Sequence, residues 1–223
     1  MTAILFDLDG TLLDTAPDLV GALNRMRIED GLPALDYASL RPAASHGTDA
    51  LLAAGYGSTR HDAGHAALRE RYLAQYRARI AERTAPFPGM DDTLATLEAR
   101  GIAWGIVTNK PSALTGALLA ALGLDARACA VVSGDTLAVQ KPDPAPLLHA
   151  CTLAGLDPAR CWYVGDAARD IEAGSRAGMR TLVAGWGYLG PDDEPAAWGA
   201  DGTLAVPTEL LDWLDHGPEA AHD

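Results

Sequence analysis

Two aspartates two residues apart, Asp7 and Asp9, stand where a short apolar run ends: Ala3-Ile4-Leu5-Phe6 is followed by Asp7-Leu8-Asp9-Gly10-Thr11. The run predicts a buried strand, and in a strand the side chains at i and i+2 share a face. Carboxylates held that way repel each other unless a cation neutralises them or the backbone turns one aside, and Gly10 permits such a turn. Polar residues suited to handling phosphate recur at comparable places further on. Gly105-Ile106-Val107 leads into Thr108-Asn109, Lys141 lies in the loop Gln140-Lys141-Pro142-Asp143-Pro144, and Trp162-Tyr163-Val164 leads into Gly165-Asp166 and then Asp170. In an open parallel sheet, ligands bind outside the carboxyl ends of the strands. Four such coincidences on one edge therefore predict a site for a phosphate and a cation rather than a set of turns.

The elements needed to bring these residues together are legible in the pattern. Thr15, Pro17 and Asp18 make a helix start, Leu19, Val20, Leu23 and Met26 continue it as a stripe, and Gly31 with Pro33 stops it. A second helix is expected from Thr48 to Gly55, and a third over 63–83 with Leu68, Tyr72, Tyr76 and Ile80 on one face. No strand signal interrupts this stretch. After Pro86 the pattern becomes alternating. Strands are expected at 102–107, 130–132, 161–164 and 181–183, and helices through Leu94 and Leu97 and over 112–122, 144–154 and 167–177. A short strand at 204–206 and a closing helix at 207–214 follow. Apolar strands alternating with helices predict an α/β fold, a doubly wound Rossmann-like parallel sheet. The expected division is a catalytic core from residues 1–14 and 86–215, an inserted all-helical cap over 15–85, and a frayed tail at 216–223.

Composition narrows the class. The 223 residues carry a net charge of -13 and are 48% hydrophobic. A surplus of negative charge disfavours nucleic acid or an anionic membrane as partner. No run of eighteen apolar residues suggests a membrane span, and the N-terminus lacks the basic and apolar regions of a signal peptide. Cys129, Cys151 and Cys161 sit in apolar contexts and read as reduced thiols, which points to the cytoplasm. The 16–85 segment has eight acids and nine arginines, so almost all of the negative charge lies in the remainder. Only two lysines occur, Lys110 and Lys141. Lys110 reads as a surface residue or a support for the site.

The order of these residues closely resembles the haloacid dehalogenase superfamily of phosphatases, in the branch whose helical cap is inserted after the first motif. Asp7 to Thr11 match its Asp-x-Asp-Gly-Thr motif, Thr108 its second-motif hydroxyl, Lys141 its third-motif lysine, and Gly165 to Asp170 its Gly-Asp-x-x-x-Asp. Within the branch the chain looks most like phosphoglycolate phosphatases. The stretches 104–111 and 186–201 are also similar to N-acetylmuramic acid 6-phosphate phosphatases.

The resemblance implies a hydrolase acting on a small-molecule phosphate ester, as a monomer or homodimer. By the same likeness Asp7 attacks phosphorus to give an aspartyl phosphate, and Asp9 protonates the leaving oxygen and later takes a proton from water. Asp7, the Asp9 carbonyl and Asp166 are the implied ligands of Mg²⁺, with Asp170 holding water or Lys141 in place. A cation also follows from electrostatics, since each pair of like unit charges at ~4 Å and a dielectric of ~20 costs roughly 4 kcal/mol. Lys141, Thr108 and Asn109 are implied to bind the phosphoryl oxygens. The loop Ser45-His46-Gly47 is implied to face the active site, with His46 and Gly47 as substrate contacts. Ala167 stands where some relatives carry a second carboxylate.

Other chemistries of the superfamily fit less well. A phosphonate hydrolase needs a cap lysine for its Schiff base, and none exists over 16–85. A dehalogenase would need neither Asp9 nor a metal. A hexose-phosphate mutase shares every core motif and stays open as the alternative. A phospho-accepting signalling domain also uses Asp, Thr and Lys on a doubly wound sheet, but it has no inserted helical block.

Overall fold

The structure is a computed structural model, and it describes residues 2–216. The chain divides into two compact units, Met1–Leu13 with Pro86–Asp223, and Asp14–Ala85. Of the expected tail, His216 ends a helix, and residues 217–223 lie outside the described part.

The discontinuous unit is built on a six-stranded sheet. Its strands are β1 (Ala3–Phe6), β4 (Ala103–Val107), β5 (Val131–Val132), β6 (Cys161–Gly165), β7 (Arg180–Ala184) and β8 (Gly202–Leu204). They lie in the order β5-β4-β1-β6-β7-β8, and every pairing is parallel. The expected doubly wound parallel sheet is therefore present. All four residues of β1 are buried, as a strand covered on both faces requires. Ala3 and Leu5 pack with Val107, Leu147, Ala150, Tyr163 and Ala173 in one apolar layer. The helices of this unit are α5 (Met90–Ala99), α6 (Ser112–Leu122), α7 (Ala145–Ala154), α8 (Ala168–Arg176) and α9 (Glu209–His216). The winding reverses at β1. The chain builds outward through β4 and β5, then returns to start again at β6 on the other side. That reversal leaves a crevice at the carboxyl ends of β1, β4 and β6.

The continuous unit is helical: α1 (Ala16–Glu29), α2 (Tyr37–Ser45), α3 (Gly47–Tyr56) and α4 (His65–Arg77). Two-residue strands, β2 (Leu13–Asp14) and β3 (Ala85–Pro86), mark its ends and form a small sheet of their own. Tyr72 and Tyr76 are fully buried with Leu23, Leu51 and Leu52, and the Tyr72 hydroxyl donates to the Leu19 carbonyl at 3.1 Å. Two features depart from expectation. Helix α2 has no counterpart in the sequence pattern, because Pro42 lies inside it and removes a backbone donor. Its start is secured by Asp36, whose carboxylate accepts from the Ser39 N–H at 3.1 Å. Helix α4 ends at Arg77 rather than running to 83, and the following turns bring the backbone of Arg83 and Thr84 to Asp18 on α1. No helix among the described residues is long and apolar enough to cross a membrane.

Candidate active site

Parallel pairing in register sets the geometry. Phe6 pairs with Ile106 on one side and with Val164 on the other. The residues that follow each strand, Asp7, Thr108 and Asp166, therefore emerge at one edge of the sheet. Asp7 is anchored by its N–H, which donates to the Val164 carbonyl at 2.9 Å. The chain then tightens at once: the Leu13 N–H bonds the Leu8 carbonyl at 2.9 Å and the Gly10 N–H bonds the Leu13 carbonyl at 3.0 Å. Gly10 sits at φ +87°, and a Cβ there would lie 2.2 Å from Asp166 Oδ2. Only glycine permits both the left-handed backbone and that approach.

Lys141 is the hub of the site. Its Nζ lies 2.8 Å from Asp7 Oδ1 and 2.8 Å from Asp170 Oδ1, with the lysine side chain fully buried. It also donates to the Val107 carbonyl at 2.9 Å and to the Tyr163 hydroxyl at 2.7 Å. Tyr163 in turn donates to the same Val107 carbonyl at 2.8 Å. A buried ammonium is tolerable only with such compensation. Asp170 is fully committed, since its Oδ2 accepts from the Ala167 N–H at 3.1 Å at the start of α8. Asp166 is not. Its Oδ2 accepts from the Tyr188 N–H at 2.9 Å, while Oδ1 is buried with no hydrogen-bond partner among the described residues.

Carboxylate oxygens of Asp7, Asp166 and Asp170 lie within 4.8 Å of one another. Burial, followed by the charges of Asp170 and Asp7, pushes the Asp166 carboxyl up to about 8. Burial also raises Asp170, against the opposing pull of Lys141. Arg169 feels the same field: burial lowers it, but the charges of Asp170, Asp7 and Asp166 win and raise it. An orphaned buried oxygen among crowded carboxylates fits a hard divalent cation with oxygen ligands.

The sequence placed Asp7, Asp9, Thr108, Asn109, Lys141, Asp166 and Asp170 at this edge, and all belong to the sheet unit. His46 lies between α2 and α3 and Gly47 opens α3, both in the helical unit. Two further residues had no signal in the local pattern, since Tyr163 reads as a core strand residue and Tyr188 as part of a loop. Lys110 reads as either a surface residue or a support for the site, its rarity and its place next to Thr108-Asn109 being the clues. Lys110 is buried, and its Nζ is 2.9 Å from Asp9 Oδ1. Asn109 is engaged by its carboxamide with the backbone of Lys141: Nδ2 donates to the carbonyl at 3.0 Å and the Lys141 N–H donates to Oδ1 at 3.1 Å. The Asn109 carboxamide therefore holds the backbone of the lysine.

Comparison with known proteins bears on this arrangement. Residues 4–184 match the model of the haloacid dehalogenase-like hydrolases. The chain is 41% identical to N-acetylmuramic acid 6-phosphate phosphatase of Pseudomonas aeruginosa, over 96% of this chain and 95% of that protein. It is 44% identical to phosphoglycolate phosphatase of Xanthomonas campestris pv. campestris, over 93% and 94% respectively. A crystal structure of a predicted phosphoglycolate phosphatase from Haemophilus somnus 129pt superposes with a TM-score of 0.83 at 26% identity, covering 96% of this chain and 98% of the other. With both the matched span and the acid–lysine cluster in place, the chain belongs to the haloacid dehalogenase-like hydrolase family.

Proposed function

We infer that the protein is a phosphatase that hydrolyses a small phosphate monoester carrying a carboxylate, through a phosphorylated Asp7. The observation that carries the chemistry is the contact of Asp7 with Lys141 beside the unpaired Asp166 oxygen. The substrate class is supported by the relatives, since both phosphoglycolate and N-acetylmuramic acid 6-phosphate, named for the two curated proteins, are carboxylic acids.

In this reading Asp7 attacks phosphorus, the ester P–O bond breaks, and Asp9 gives a proton to the departing oxygen. Water then attacks the aspartyl phosphate while Asp9 receives its proton, and inorganic phosphate leaves. Lys141 steadies Asp7 and, with Thr108 and Asn109, stabilises the phosphoryl oxygens on which charge spreads. Asp7, Asp166 and the Asp9 carbonyl are the groups that would hold Mg²⁺, which supplies positive charge to the phosphoryl oxygens when bound. Asp170 stays with Lys141 and the α8 N-terminus.

Asp7→Asn tests the chemistry: a folded, inactive variant is expected, and robust residual turnover removes Asp7 as nucleophile. The substrate class is tested by comparing N-acetylmuramic acid 6-phosphate with N-acetylglucosamine 6-phosphate, which lacks the carboxylate. A preference of about a hundredfold in kcat/KM for the former, or for phosphoglycolate over uncharged alkyl phosphates, is expected. Equal rates refute the carboxylate requirement.

A further inference from the structure

We propose that Lys110 is the positioning residue for Asp9, fixing the direction from which that carboxylate protonates the leaving oxygen. The inference rests on the reading of Asp9 as the acid of ester cleavage. Lys110 Nζ lies 2.9 Å from Asp9 Oδ1, and the two side chains are 5% and 16% exposed. A solvated pair at that distance holds little, but one withdrawn from water is screened far less.

Lys110 is itself held in place. Its N–H donates to Thr108 Oγ1 at 3.1 Å, and its carbonyl accepts from the Gly134 N–H at 2.9 Å and from Thr115 Oγ1 at 3.3 Å. A Cβ at Gly134 would stand 2.1 Å from the Asn109 carbonyl oxygen, so the segment after β5 packs directly on this turn. The backbone of Lys110 thus has little freedom, and its ammonium is delivered to one place.

The turn Thr108-Asn109-Lys110 therefore governs both reacting carboxylates by separate routes. Asn109 holds the backbone of Lys141, whose ammonium contacts Asp7. Lys110 contacts Asp9 directly. Pinning one oxygen of Asp9 fixes the plane of its carboxylate, and proton transfer depends steeply on that alignment. When the Asp7 oxygen bonds phosphorus and the ester oxygen departs, its proton comes from Asp9. An ester whose leaving group is a stable phenolate needs that proton least.

The test measures kcat/KM, which reports the steps through release of the alcohol, for two esters. One is p-nitrophenyl phosphate. The other is whichever of phosphoglycolate, N-acetylmuramic acid 6-phosphate and glycerol 3-phosphate the wild type turns over fastest. Lys110→Met is expected to lose about a hundredfold on the alkyl ester and less than tenfold on the aryl ester. Lys110→Arg, which keeps the charge and moves it, should show the same selectivity with a smaller loss, and it decides the question if Lys110→Met does not fold. An equal loss on both esters in a folded variant, or no loss on either, overturns the proposal. Failure of the phosphatase reading itself would look different, because the wild type would then hydrolyse neither ester.

Discussion

Asn109 and Lys141 exchange two hydrogen bonds, side chain to backbone in both directions, at 3.0 and 3.1 Å. They join the loop after β4 to the loop before α7, 32 residues away. The position of the Lys141 ammonium against Asp7 is thereby set from the loop after β4 as well as from its own.

Replacing Asn109 with Ala removes both bonds. Each contributes about 1 kcal/mol, so the melting temperature should fall by about 4–8 °C. The kcat should fall about tenfold with KM little changed, because the lysine loses its registration rather than its charge. Steady-state kinetics beside a thermal melt separates the two effects, and an unchanged kcat would show that Lys141 is held well enough by other contacts.

Tyr163→Phe removes a hydroxyl that both receives a bond from Lys141 and gives one to the Val107 carbonyl. The variant should lose about 1–3 kcal/mol of stability and several-fold in kcat. Denaturant unfolding provides the first number. A variant as stable as the wild type would mean that water takes over the vacated partners.

The raised carboxyl of Asp166 gives the metal response a definite sign. At about 8 it is protonated at neutral pH, so a cation binding there displaces a proton. Affinity for Mg²⁺ should rise about tenfold per pH unit below that value and level off above it. Calorimetric titration in buffers of different ionisation enthalpy should show proton release at pH 6.5 that disappears by pH 9. The same shift acts on folding. Because the folded value lies above the unfolded one of about 3.9, the stability contribution is full at low pH and is lost as pH rises through about 8. Metal-free protein should therefore melt lower at pH 8.5 than at pH 6, and Mg²⁺ should restore it. EDTA should abolish turnover, with Ca²⁺ a poor replacement.

Two glycines with similar backbones should respond differently to alanine. Gly10 sits at φ +87° with Asp166 Oδ2 only 2.2 Å from where a Cβ would stand, whereas Gly47 at φ +78° has nothing within 4 Å of that point. Gly47→Ala should lower stability by the backbone strain, about 1–2 kcal/mol, with no clash inside the chain. Gly10→Ala should add displacement of Asp166 and reduce activity more than a hundredfold. Comparable kinetics for the two variants would contradict the close packing of Gly10 on that carboxylate.

In the helical unit, Asp18 accepts from the N–H groups of Arg83 and Thr84 and from Thr84 Oγ1 at 2.7 to 3.1 Å. Asp18→Ala strands two backbone donors and should destabilise by about 2–4 kcal/mol, read by chemical denaturation. A loss below 1 kcal/mol would show that solvent replaces the carboxylate.

The sequence alone determined where the central strands lie and which acids follow them, because apolar runs and turn residues are local signals. The edge strand, expected at 204–206, lies at Gly202–Leu204, and the two-residue strands at Leu13–Asp14 and Ala85–Pro86 had no such signal. It also marked Asp18 as an acid in the first turn of a helix, though not as the clamp on a segment 65 residues away. The hidden parts share a cause. Helix α2 is obscured by Pro42, which the preceding Asp36 cap and later packing outweigh. The partners of Lys110, Asn109 and Tyr163 depend on where distant backbone runs: Gly134 against Asn109, Val107 beside Tyr163, and β1 between β4 and β6. Periodicity tells which face a side chain takes within its own element. Which atom it meets there is decided by strand order and register, and only the folded chain supplies those.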